Sequence, residues 1–157
     1  MEFHPDSGTL EVEIFDSPQI TKEVFLSLVI KIEFQEPMDP DVEDDDYRVN
    51  AIIIGIPVPH NDWRRLADSS IEITTISGAG PFEGSIEYYE FWNAIDISRI
   101  EFGAFQNGTV ITNLTGQLDF TVEGLARFGK PNFDWTLPLR YDQAHLEERH
   151  REFHDRI

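Results

Sequence analysis

The residues with the greatest chemical potential in this chain are carboxylates. Eight acids and no base fall between Glu33 and Asp46. Asp39, Asp41 and Glu43 offer hard oxygen donors at alternate positions, the ligand type that calcium takes. Asp44, Asp45 and Asp46 follow as an unbroken anionic run beside Tyr47. Clustered carboxylates steer a basic partner and speed its encounter. An exposed aromatic nearby supplies the anchor that holds it, and Tyr47 and Trp63 are the candidates.

The calcium pattern is incomplete. An EF-hand loop needs glycine where Asp44 stands and a bidentate glutamate where Asn50 stands. The flanks also read as strands, so a metal here would sit in a loop between strands, with Asp39, Asp41 and Glu43 as ligands. Such a β-sandwich module binding calcium or carbohydrate is the alternative function, with Tyr88, Tyr89 or Trp92 as a sugar platform.

Other constellations carry less. His150 and His154 share a helix face at i, i+4, but two ligands without a third make a weak metal site. HREFH lacks the register of a zinc protease helix. No nucleophile elbow and no phosphate loop is present, since GAGP lacks the lysine and the helix that would follow. Carboxylate pairs such as Glu87/Glu90 or Asp119/Glu123 meet the minimum for acid–base hydrolysis. Among thirty acids some such pair arises by chance. A hydrolase with an unrecognised carboxylate site is therefore the third class, and no residue is assigned a catalytic role. Asn107-Gly-Thr and Asn113-Leu-Thr match the glycosylation acceptor pattern and are read instead as hairpin chemistry.

The elements that must position these groups are strands. Leu10, Val12 and Ile14 alternate with Glu11 and Glu13 over Thr9 to Phe15, the period of a half-buried strand. Val24 to Phe34 is apolar on both faces for half its length, which fits a strand covered on both sides. Arg48 to Ile56, Ser70 to Ile76, Glu83 to Phe105, Leu114 to Val122 and Phe133 to Tyr141 continue the series. Two phase slips in the aromatic stretch, at Tyr88-Tyr89 and between Ile97 and Ile100, predict β-bulges or breaks. Asn107-Gly108 predicts a tight hairpin, and Pro138 argues that the last strand lies at an edge. A short helix is expected near 61–67, capped by Asn61 or Asp62, and a C-terminal helix near 142–156 with Leu146, His150, Phe153 and Ile157 on one stripe. The expected architecture is mainly β: an antiparallel sandwich or barrel of about eight to nine strands. The chain reads as one domain, 1–157, with an acidic loop at 36–46.

Composition bounds the function. The net charge of −18 from 30 acids and 12 Lys plus Arg disfavours nucleic acid and anionic membranes. It favours a basic protein partner. Forty per cent apolar residues, 12% of the chain aromatic, suffice to build a core. With no cysteine, disulfides and thiolate metal sites are excluded, consistent with a reducing compartment. The N-terminus lacks the basic and apolar regions of a signal peptide, and the expected location is cytoplasmic. In general character, a small, acidic, cysteine-free domain resembles the immunity proteins that neutralise basic toxins. The leading expectation is a non-enzymatic acidic binding protein that docks a basic partner and needs no cofactor.

Overall fold

The computed structural model describes residues 3–16, 24–34, 50–73, 83–88, 91–121 and 128–156. Eight strands run through them: β1 (Pro5–Phe15), β2 (Phe25–Phe34), β3 (Asn50–Pro57), β4 (Ser70–Glu72), β5 (Glu83–Tyr88), β6 (Phe91–Gln106), β7 (Thr109–Asp119) and β8 (Asn132–Arg140). One helix, α1 (Gln143–Arg156), ends the described chain.

Seven strands close a barrel in the order β6-β5-β3-β2-β1-β8-β7, with β7 pairing back to β6. Strand β4 pairs the lower half of β6 from outside this ring. All pairings are antiparallel except β1 with β8, which run parallel. The barrel reading of the periodicity therefore holds, and one parallel seam makes the sheet mixed.

Alternation puts one face of each strand inside. Leu10, Val12, Leu26, Leu28, Ile30, Ile32, Ile53, Leu114, Leu137 and Leu139 share a single buried cluster. Such burial supplies the main driving force for folding, at about 25 cal/mol per Å² of apolar surface. Strand β2 is buried on both faces from Leu26 to Ile30, as its two-sided apolarity predicts. The phase slip in the aromatic stretch becomes a bulge between Ile97 and Arg99, and a second bulge lies between Phe102 and Phe105. The second one turns Phe105 inward and leaves Ala104 exposed. Asn107 and Gly108 adopt φ of 54° and 76°. Both are the positive values that a two-residue hairpin turn demands, and Gln106 pairs Thr109 across it.

One expectation is corrected. Pro138 does not mark an edge strand, because β8 lies between β7 and β1. The parallel seam to β1 holds only two pairs, Gly8–Leu139 and Thr9–Arg140. Pro138 falls just before them, where no ladder partner on β1 requires its missing N–H. The short helix expected near 61–67 is present, in 3₁₀ form. It forms two 3₁₀ turns, Pro59–Asn61 and Trp63–Leu66, separated at Asp62. His60 and Asn61 have positive φ, which interrupts helical geometry. Asp62 still caps the second turn by accepting a hydrogen bond from Arg64 N.

The helix α1 matches its predicted span and completes the barrel wall. Strand β8 ends opposite Thr9, although β1 continues to Phe15. From there α1 packs along β1 and β2. Leu146 and Phe153 are 0% and 2% exposed and belong to the core cluster. Asp142 caps the helix by accepting from Ala144 N at 3.0 Å, and Arg156 bridges Asp16 at 2.7 Å, just past the end of β1. Two barrel ends result. The lower one carries α1 and the 3₁₀ turns. The upper one carries the start of β1, the end of β2 and the start of β8. None of the described helices is long and apolar enough to cross a membrane.

Candidate functional site

The acidic segment leaves β2 at Phe34 and returns at Asn50, and both flanks lie at the upper barrel end. Asp39, Asp41, Glu43, Asp44, Asp45, Asp46 and Tyr47 themselves lie outside the described residues. Around the flank at Phe34, aromatic rings close the barrel. Phe34 meets Trp135 edge-on at 5.0 Å, Phe3 stacks on Phe120 at 5.6 Å, and Phe133 stacks on Trp135 at 4.0 Å. Phe3, Phe34 and Phe133 remain half-buried.

Trp63 is not the exposed anchor expected of it. It is 7% exposed and sits at the opposite, lower end of the barrel. Its ring packs against Phe105 at 5.9 Å and Tyr141 at 6.5 Å. The 3₁₀ turn tucks the indole under the β6–β7 hairpin, which an exposed helix would not do. Of the proposed sugar platform, Tyr88 ends β5 and Trp92 lies in β6. Their side chains and the whole of Tyr89 lie outside the described residues.

The histidine pair is close, with ring centroids of His150 and His154 4.3 Å apart. No group of three or more histidines and acids suited to one metal occurs among the described residues. Asp119 is fixed as an acceptor. The Thr121 hydroxyl and backbone N–H both donate to its Oδ1, and the Lys130 ammonium lies 3.5 Å from Oδ2. These contacts hold its carboxyl below the ordinary carboxylate range, with the Thr121 hydroxyl the largest cause. A carboxylate so stabilised is a poor general acid. Its proposed partner Glu123, and Glu90 of the other pair, lie outside the described residues, as does the Glu87 side chain.

A groove of about 700 Å³ lies on the outer face of β6, β7 and β8. Strand register builds it. Asp96 stands opposite Gln117, and Gln117 opposite Asn132, so three strands contribute one polar row. The bulge between Ile97 and Arg99 aims Ser98 at the next row, where its hydroxyl donates to Thr115 O at 3.1 Å. Gly116 permits this irregular approach. A Cβ there would collide with the Asp96 carbonyl oxygen and come within 2.9 Å of Ile97 Cα and Phe133 Cζ. Below the groove, Asn113 donates to Asp134 at 2.6 Å and to Thr136 at 2.8 Å, locking β7 to β8. The described lining of this groove contains none of the candidate residues expected from the sequence. The signal is the polar alternation of β7, but the partners on β6 and β8 appear only once the register is known.

No protein-family model, curated protein or solved structure matches the chain.

Proposed function

We propose that the chain is a non-enzymatic binding domain that docks a basic protein partner through its acidic surface, as an immunity protein does with a toxin. The observation carrying this reading is the state of the described charges. Arg64, Arg99, Lys130, Arg149 and Arg156 already bridge carboxylates of the same chain. Asp6, Glu11, Glu13 and Glu33 stand exposed along β1 and β2 with no ion pair among the described residues. The domain thus presents surplus anionic charge, which steers a cationic surface and rejects an anionic one.

The upper barrel end supports the same reading. The flanks of the 36–46 segment adjoin half-buried Phe3, Phe34 and Phe133, which take over the anchoring role first given to Trp63. Aromatic anchors beside a charged rim are the usual anatomy of a protein interface.

The test is the triple substitution Asp44→Asn, Asp45→Asn, Asp46→Asn. The partner is isolated by salt release from the immobilised domain, and its affinity is measured by calorimetry. The variant binds it more weakly and melts no lower than the parent. Unchanged affinity overturns the reading.

A further inference from the structure

We propose that the outer groove over β6, β7 and β8 is the subsite for an arginine side chain of the basic partner, with the Asp96 carboxylate and Gln117 Oε1 as its acceptors. This rests on the binding reading above and names where one cationic group is held.

Among the described residues Asp96 is the only acid lining the groove, and it makes no hydrogen bond or ion pair with any of them. The cations nearest to it in the register are engaged elsewhere. Arg99 is held by Glu72 at 3.0 Å and by Glu101, while Lys130 is held by Asp119 at 3.5 Å. The groove therefore carries an uncompensated carboxylate.

Gln117, opposite Asp96 on β7, is oriented as an acceptor. Gln117 Nε2 donates to Lys130 O at 3.1 Å and to Asn132 Oδ1 at 3.3 Å. With both amide hydrogens engaged, Oε1 is the atom left to bind a ligand. The Ser98 hydroxyl donates to Thr115 O at 3.1 Å and lies 3.5 Å from the Thr115 hydroxyl, so it is engaged within the groove wall. The ligand that satisfies such a set is a donor-rich cation.

Three cation classes compete for it. A hard metal ion takes about six to eight oxygen ligands, mostly charged, and a single carboxylate does not supply them. An ammonium presents three donors about one point, whereas a guanidinium presents five in a plane. Asp96 and Gln117 face each other across β6 and β7, where directly opposite side chains lie about 5 Å apart. That span suits the planar fork better than the point charge. A groove of about 700 Å³ admits a side chain together with its flanking backbone.

The experiment is calorimetric titration of the full chain with hexa-arginine and hexalysine peptides. The chains compared are the parent, D96N, Q117L and the D44N/D45N/D46N variant. The parent binds hexa-arginine more tightly than hexalysine. D96N, a change at an exposed position, weakens hexa-arginine by about tenfold and removes the preference. Q117L reduces the preference, and the triple variant weakens both peptides in parallel while keeping it. Equal affinities in the parent, including no binding of either peptide, overturn the subsite. So does a preference that survives D96N. If D96N abolishes the preference while the triple variant binds as the parent does, the subsite stands and docking through the acidic segment falls.

Discussion

Gly116→Ala measures how tightly β6 and β7 are drawn together beneath the groove. The added methyl meets the Asp96 carbonyl oxygen, Ile97 Cα at 2.9 Å and Phe133 Cζ at 2.9 Å. Two of these atoms are backbone, so the clash cannot be relieved by turning a side chain. Overpacking of this kind costs about 1–3 kcal/mol. Replacing glycine also removes unfolded-chain entropy and returns about 0.4–1 kcal/mol. The clash wins, and the net loss is about 1–2 kcal/mol. For a chain of this length that lowers the melting temperature by about 2–8 °C. Gly103→Ala is the matched control, since its Cβ meets a single atom within 4 Å, Ile111 O at 3.3 Å. Thermal melts followed by circular dichroism should place Gly103→Ala near the parent and Gly116→Ala below both. A Gly116→Ala melt at or above that of the control would refute the close approach at Asp96.

Three further outcomes follow from the same structure. Leu146→Ala removes a fully buried contact of α1 with the core, costs about 2–5 kcal/mol and is read as a thermal melt lowered by about 4–20 °C. An unchanged melt would mean that α1 does not complete the barrel wall. Thr121→Val deletes the hydroxyl that contributes most to lowering the Asp119 pKa, and carbon NMR titration should move that pKa upward. Because the folded pKa is depressed, the parent's stabilisation is present above the unfolded value of about 3.9 and fades as pH falls through the folded one. The variant should therefore lose this contribution at a higher pH, and an unmoved Asp119 titration would contradict the assignment. Calcium and magnesium at matched ionic strength should raise the melting temperature equally and slightly, by screening a net charge of −18. A rise specific to calcium would instead signal a folded-state site and favour Asp39, Asp41 and Glu43 as ligands.

Much of the fold is legible in the sequence because burial imposes a period of two. The alternation of Leu10, Val12 and Ile14 and the two-sided burial of β2 are direct readings of that period. The break after Ile97 registers a real bulge, and Asn107-Gly108 encodes its own turn. Partner choice is not local. Nothing in β1 or β8 specifies a two-pair parallel seam, so Pro138 suggests an edge that closure removes. Trp63 misleads for a similar reason. Its neighbours His60, Asn61, Asp62, Arg64 and Arg65 are polar, while its burial comes from Phe105 and Tyr141, far along the chain. The groove joins Asp96, Gln117 and Asn132, residues whose proximity depends on the register of three strands. Periodicity predicts that each faces outward but not which of them meet.

The most direct measurement is the salt dependence of partner affinity. The dissociation constant is determined from about 50 mM to about 200 mM salt, a range over which exposed charges become progressively screened. It is measured for the parent and for the variant with Asp44, Asp45 and Asp46 changed to Asn. Docking through the acidic surface predicts affinity that falls steeply with salt in the parent and a shallower slope in the variant. Affinity insensitive to salt, or the same slope in both chains, would contradict it.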